Sequence, residues 1–166
     1  ISAIYEGTTG IQSQDLLGRK ITMGNGSGLA LLSAEILETI EASKKHETLQ
    51  PYAAILSEKL ELTQTILQKL MPHAMKGDFE RYLADASIFM EFFSLIIVGW
   101  TWLEIATKAQ DNLNDANAPL SDEFYIGKIE TLKYFYSYEL PKTLGHAAIL
   151  MDPTTVTIKK EKEYIN

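Results

Sequence analysis

The chain has 166 residues, 46% hydrophobic and 22% charged, which is enough to bury a core and fold as one compact domain. Fifteen Lys and Arg against 22 Asp and Glu give a net charge of −7, the wrong sign for a surface that binds nucleic acid or anionic lipid. The absence of cysteine excludes disulfides and thiolate metal ligands, and with no secretory leader pattern we expect a cytoplasmic location.

The first predicted element is a short helix behind a loop that carries Glu6. In the opening segment, IYEGTTGIQSQDLLGRKI, Gly7 and Gly10 stand where the chain has to turn into the helix. Thr9 and Gln12 have the spacing of a capping box, in which two side chains satisfy free backbone donors at a helix start. On this interpretation Glu6 only adds negative charge near the positive end of the helix.

The same segment also supports a catalytic interpretation of Glu6. Free N–H groups at a helix start can bind an anionic or carbonyl group, and a carboxylate on the preceding loop can act as a general base. Removing a proton from carbon requires a polarised neighbouring carbonyl, so a base paired with backbone donors is the useful arrangement. The residues alone leave both interpretations open.

A glycine-rich segment, TMGNGSG at residues 22–28, follows the opening helix. It lacks the preceding strand, and the Lys and Ser or Thr at fixed offsets, that a Walker phosphate loop requires. A phosphate-binding nest is therefore the lesser alternative. We expect a flexible connector between two parts of a larger protein.

Two amphipathic helices are predicted next. Apolar residues recur at steps of three and four over residues 27–46, with Ser27 as a plausible N-cap. The same pattern covers residues 50–76, where Pro72 predicts a kink or an early end.

The third predicted helix, residues 78–113, is the longest and has Asp78 as its cap. It contains the most apolar run of the chain, but only twelve uncharged residues lie between Glu91 and Glu104. A bilayer requires about twenty, so we expect a buried bundle helix and no membrane span. A buried Glu91 would need a partner or a proton, and a structural acid is favoured over a catalytic one.

A fourth helix is predicted over residues 121–152, capped by Ser121 and bent at Pro141. The last stretch, TTVTIKKEKEYIN, is expected to be an extended or frayed tail. Together the elements predict an all-α fold: a helical bundle, mostly up-and-down, of about four main helices plus a short N-terminal helix.

Paired carboxylates raise the possibility of a metal site, because helical bundles can hold two metal ions on inward-facing acids. The pairs are Glu35 with Glu38 and Glu58 with Glu61. The di-iron pattern needs Glu-x-x-His on two helices, and no histidine here has a Glu three residues before it. We therefore predict no metal site and solvent-facing pairs, helped by lysines such as Lys59.

Two stretches resemble a known enzyme family. IYEGTTGIQSQDLLGRKI is similar to the catalytic segment near the C-terminal end of the acyl-CoA dehydrogenases, where a Tyr-Glu-Gly-Thr loop leads into a helix bearing Ile-Gln. GKIETLKYFYSYELPKT resembles the extra C-terminal helical domain of a subgroup that includes methylmercaptopropionyl-CoA dehydrogenase. The resemblance implies that residues 1–24 end the dehydrogenase helical domain and that residues 25–166 form a C-terminal bundle.

The resemblance also implies an activity and a role for each matching residue. The activity is FAD-dependent oxidation of an acyl-CoA thioester to the trans-2-enoyl-CoA, with Glu6 as the base that removes the α-proton. The implied substrate contact is Gly7, and the implied FAD contacts are Thr8, Thr9, Gly10 and, more weakly, Gln12. The rest of the flavin site lies outside this chain, so we expect the chain alone not to bind FAD tightly.

The partners implied by the resemblance are the rest of the dehydrogenase body, an acyl-CoA, further copies in a homo-oligomer and an electron-transferring flavoprotein. The many aromatic residues are expected to pack in the core or against the rest of a larger enzyme. The competing hypothesis is a non-enzymatic helical module for oligomerisation or scaffolding, in which residues 1–22 are only a capped leader.

Overall fold

The computed structural model describes residues 8–113, 115–154 and 156–158, and every regular element in these ranges is helical. The α-helices are α1 (Thr9–Asp15), α2 (Ser27–Ser43), α3 (Gln50–Met75), α4 (Phe79–Leu83), α5 (Ala86–Asn112), α6 (Asp122–Tyr134) and α7 (Lys142–Leu150). Short 3-10 turns lie at Met23–Gly26 and Glu47–Leu49, and π-helical turns at Leu16–Lys20 and Phe135–Glu139. The predicted all-α fold is confirmed.

Helix α5 is the centre of the bundle and packs against α1, α2, α3, α6 and α7. Phe89, Phe92 and Ile96 on this helix are fully buried, and the rings of Phe89 and Phe93 stack with centroids 5.8 Å apart. Burial of each such side chain contributes about 1.5–3 kcal/mol to folding. Among the described helices, α5 is long and apolar enough, with a mean hydropathy of 1.6, to cross a membrane; here it is the core helix of the bundle.

The predicted third helix is interrupted, because residues 84–85 separate α4 from α5. Asp85 has φ −113° and ψ 30°, outside the helical region. Asp78 is the predicted cap, and its side chain accepts a hydrogen bond from the Arg81 N–H at 3.2 Å. Phe79, the first residue of α4, is 59% exposed.

Helix α3 continues past Pro72 to Met75, so the predicted early end at Pro72 is wrong. The chain leaves α3 at Gly77, whose φ of +76° favours glycine. The α2 cap is also displaced by one position from the prediction. Gly26 precedes the helix with φ +83°, and Ser27 is its first residue.

The region of α6 and α7 contains the predicted cap at Ser121 and an interruption at Pro141. The Ser121 hydroxyl accepts a hydrogen bond from the Phe124 N–H at 3.4 Å and caps α6. The regular hydrogen bonding breaks down just before Pro141, where the Leu140 N–H donates to the Phe135 carbonyl at 2.9 Å in a π-helical turn. Most of the predicted extended tail lies outside the described residues.

The glycine-rich segment, expected to be a flexible connector, forms a tight turn. Gly24 and Asn25 have φ values of +58° and +57°. A Cβ added at Gly24 would lie 2.4 Å from the Ser27 Oγ. The segment therefore turns the chain directly into α2.

Candidate functional site

The candidate site is the first turn of α1. Thr8 stands just before the helix, and its carbonyl accepts a hydrogen bond from the Gln12 N–H at 2.8 Å. Thr8, Gly10 and Gln12 are exposed and Thr9 is half-buried. The four predicted cofactor contacts therefore lie together in one accessible turn. The predicted base Glu6 and substrate contact Gly7 lie outside the described residues.

The predicted capping box does not form. Thr8 occupies the N-cap position, Thr9 is already the first helical residue, and the Thr8 side chain makes no capping hydrogen bond. Gln12 instead lines a groove beside the helix. These side chains do not cap the helix, so capping does not compete with ligand binding for them.

The opposite side of α1 is buried against the bundle. Ser13, Leu17 and Ile21 follow one another at intervals of four, and their exposed fractions are 1%, 1% and 7%. This spacing forms one stripe on a helix. The stripe is visible in the sequence, and it was the signal that could have identified Ser13 as a buried residue.

A π-helical turn follows α1 and receives a hydrogen bond from α4. In a regular helix the Ile21 N–H would donate to the Leu17 carbonyl, but here it donates to the Leu16 carbonyl at 2.9 Å. The Leu17 carbonyl accepts instead from the Tyr82 hydroxyl at 2.7 Å. Burial raises the pKa of Tyr82, so its hydroxyl remains a protonated donor.

A second contact fixes the first turn itself. The Ser13 hydroxyl donates to the Gly10 carbonyl at 2.9 Å, and its oxygen lies 3.2 Å from the Ser87 Oγ on α5. Because the Ser13 proton is used on Gly10, Ser87 is the donor in this pair. Neither Ser87 nor Tyr82 could be identified from the sequence, since neither belongs to a recognisable motif.

An open apolar groove of about 400 Å³ runs between α1 and α5; we call it the α1–α5 groove. Its lining residues are Gln12, Leu16, Lys20, Met90, Phe93, Ser94, Ile97 and Val98. Val98 at its edge is 41% exposed, and Ile11 on α1 is 68% exposed. Apolar surface of this kind, next to the candidate site, is typical of a contact surface.

The first turn of α1 carries polar groups on an open surface. The Thr8 and Thr9 hydroxyls and the Gln12 amide can donate and accept hydrogen bonds. A Cβ added at Gly10 would meet no atom within 4 Å. The space beside Gly10 is therefore open.

A smaller cavity, of about 150 Å³, lies behind the π-helical turn and is lined partly by Leu17 and Tyr82. One of its charged residues, Lys69, has a structural role. The Lys69 ammonium donates to the Met151 carbonyl at the end of α7, where a cation complements the negative helix end.

The remaining carboxylates do not form a site among the described residues. Glu91 is exposed, with 55% of its side chain accessible, so the condition of burial does not apply to it; it faces the His146 Nε2 at 3.4 Å. The paired acids are exposed as predicted: Glu35, Glu38, Glu58 and Glu61. Lys59, expected to accompany them, is instead 8% exposed. The described ranges contain no group of three His, Asp or Glu side chains placed to hold a metal ion.

Comparison with known proteins assigns a family to most of this chain. Residues 32–159 match the family described as acetyl-CoA dehydrogenase C-terminal like. The chain is also 29% identical over 147 residues to the broad-specificity linear acyl-CoA dehydrogenase FadE5 of Mycobacterium tuberculosis. That alignment covers 85% of this chain and 24% of the relative, so the chain spans about a quarter of the relative's length. No solved structure matches the chain.

Proposed function

The chain belongs to the acetyl-CoA dehydrogenase C-terminal-like family, and from this premise we propose that it is the C-terminal part of an FAD-dependent acyl-CoA dehydrogenase. The observation that carries the proposal is the family match over residues 32–159, joined to a Tyr-Glu-Gly-Thr motif at residues 5–8. The helix that follows this motif packs on the matched bundle through Leu17.

In the proposed reaction an acyl-CoA thioester becomes the trans-2-enoyl-CoA. The Glu6 carboxylate takes the α-proton, and the backbone N–H of Glu6 donates to the thioester carbonyl oxygen, where negative charge develops. When bound, FAD supplies the acceptor for the hydride that leaves the β-carbon. Gly7 leaves room for the substrate next to the base.

The first turn of α1 is proposed to contact the cofactor. Thr8, Thr9 and Gly10, with Gln12 as the weaker candidate, are accessible at the helix start. Because no side-chain cap occupies the Thr8 position, these groups are available to a ligand. Residues 1–24 would end the catalytic domain, and residues 25–166 would be the bundle that supports it.

The rest of the dehydrogenase is the proposed occupant of the α1–α5 groove. The groove adjoins the cofactor contacts through Gln12, and its lining is mostly apolar. The matched relative is about four times as long as the aligned segment, which covers 24% of it, so a catalytic body is available to cover the groove. The proposed assembly is a cytoplasmic homo-oligomer that passes electrons to an electron-transferring flavoprotein.

A scaffold function is the second candidate, and one observation favours it. Tyr134 and Tyr138 are 57% and 66% exposed, with their rings stacked 5.0 Å apart. Exposed aromatic pairs are common at protein interfaces. A pure scaffold would hold subunits together and leave thioester chemistry independent of the opening motif.

The flavin content of the purified protein tests the proposal. The longer protein that contains this chain should be yellow, and an acyl-CoA should bleach the flavin absorbance anaerobically as the enoyl-CoA forms. The 166-residue chain alone should be colourless. A longer protein without flavin would refute the dehydrogenase assignment, and tight flavin binding by the chain alone would refute the proposed division of the site.

A further inference from the structure

We propose that Tyr82 and Ser13 are positioning residues that fix α1 on the bundle, so that the loop before α1 presents Glu6 correctly. The inference rests on the proposed function for its catalytic consequence. The fixing of α1 itself rests only on contacts between described residues.

Two polar contacts hold α1 and the turn after it at different points. The Tyr82 hydroxyl donates a hydrogen bond to the Leu17 carbonyl, which has lost its usual helical donor in the π-helical turn. Ser13 links the Gly10 carbonyl in the first turn to Ser87 on α5. Together they fix both the rotation of α1 about its axis and its position along the bundle.

The surroundings leave little room for α1 to move at the π-helical turn. Tyr82 is 2% exposed and Leu17 is 1% exposed. A Cβ added at Gly18 would approach the Leu83 Cδ2 to 3.3 Å, so the turn lies close against α4. A hydrogen bond in such a dry site is strongly directional, and losing it leaves a buried carbonyl without its partner.

A displaced α1 would act on catalysis through the loop that carries Glu6. Proton abstraction depends steeply on the separation of base and carbon, and a shift of about 1 Å can lower the rate by about 100-fold. Binding of the substrate depends mostly on other parts of the enzyme under the proposed function. The effect should therefore fall on kcat and leave KM nearly unchanged.

The chain contains a matched control for each positioning residue. Tyr136 is 5% exposed, and its hydroxyl donates to the Gly99 carbonyl on α5 at 3.1 Å, without a contact to α1. Ser43 is fully buried, and its hydroxyl donates to the carbonyl three residues earlier at 2.8 Å. Tyr136→Phe and Ser43→Ala thus remove the same groups as Tyr82→Phe and Ser13→Ala.

Amide hydrogen exchange in the 166-residue chain tests the fixing of α1. In Tyr82→Phe and Ser13→Ala, amides over residues 9–21 should exchange about tenfold faster than in the wild type. The controls Tyr136→Phe and Ser43→Ala should leave exchange in this range unchanged. Equal exchange over residues 9–21 in all four variants would overturn the proposal.

Steady-state kinetics in the complete enzyme test the catalytic consequence. Tyr82→Phe should lower kcat for thioester oxidation by about tenfold or more with KM within about twofold, whereas Tyr136→Phe should keep the wild-type kcat. Equal kcat values for the two variants would overturn the positioning role. A wild-type enzyme that does not oxidise acyl-CoA would instead refute the proposed function, and hydrogen exchange would still decide whether α1 is fixed.

Discussion

Asp111 shows how single residues join two elements at the surface of the bundle. Its carboxylate oxygen Oδ1 lies 2.7 Å from the Lys45 ammonium and 2.7 Å from the His46 Nε2. Partial burial acts to raise the pKa of Asp111, but the hydrogen bonds from Lys45 and His46 outweigh it and hold the pKa below its usual range. The contact ties the end of α5 to the segment after α2.

This contact predicts an acid-dependent loss of stability. The pKa of Asp111 is lower in the folded chain than in the unfolded chain. The contact therefore stabilises the fold fully above the unfolded pKa of about 4, and this stabilisation is lost as the pH falls through the lower pKa of the folded chain. Asp111→Asn should lower the free energy of unfolding by about 0.5–1 kcal/mol at about pH 7, a small value because the pair is partly exposed. Urea titrations at several pH values measure it, and a difference that persists below about pH 2 would contradict the assignment.

Gly24 and Gly28 should respond oppositely to the same substitution. Gly24 has φ +58°, a backbone conformation that residues with a side chain rarely adopt, and an added Cβ would also displace the Ser27 Oγ, so Gly24→Ala should destabilise the chain by about 1–2 kcal/mol. Gly28 lies inside α2, with nothing within 4 Å of an added Cβ, so Gly28→Ala should stabilise it by up to about 1 kcal/mol. Thermal unfolding of both variants measures these changes in stability. A Gly24→Ala variant as stable as the wild type would contradict the described turn.

Side-chain roles were the least predictable part of the sequence. The exposure of Glu91 and the burial of Lys59 depend on how α5 and α3 are rotated, which an apolar pattern of mixed spacing does not define. Tyr82 finds its partner 65 residues away, in the Leu17 carbonyl. No local spacing encodes such a pairing.

At the scale of elements, α1 and the turn after it pack against the core of the bundle. Leu17→Ala should lower the free energy of unfolding by about 2–5 kcal/mol, because it leaves a cavity where the side chain is 1% exposed. Ile11→Ala, in α1 just before the turn that holds Leu17, should change it by less than about 0.5 kcal/mol, since Ile11 is 68% exposed. Denaturant unfolding distinguishes the two variants. A harmless Leu17→Ala would support the view that the opening segment is only a leader.

The helices themselves were predictable, and their interruptions were not. Periodicity and capping residues located the main helices, and the ends of α2 and α3 fall within a few residues of the predictions. The break at Asp85 and the π-helical turn at Leu16–Lys20 lie where α4 packs against that turn. Tertiary contacts set such features, whereas Pro141 predicted a bend at the point where the fourth helix is interrupted before α7.

For the whole molecule, the sequence was enough to infer the family. It was enough to infer the active site only in part. The resemblance to the acyl-CoA dehydrogenases is confirmed by the family match over residues 32–159. The bundle presents the first turn of α1 on an open surface beside the α1–α5 groove, which suits a segment that completes a site shared with a larger body. The roles of Glu6 and Gly7 remain predictions, because both residues lie outside the described part of the chain.

The catalytic role of Glu6 is tested most directly by the exchange of the substrate's α-proton. The complete enzyme, as wild type, Glu6→Gln and the control Glu61→Gln, would be mixed with an acyl-CoA in D₂O, and both α-deuterium incorporation and enoyl-CoA formation would be followed. We predict that Glu6→Gln lowers both rates by at least about 1000-fold while Glu61→Gln, on the exposed face of α3, matches the wild type. Exchange and oxidation at the wild-type rate in Glu6→Gln would contradict the account.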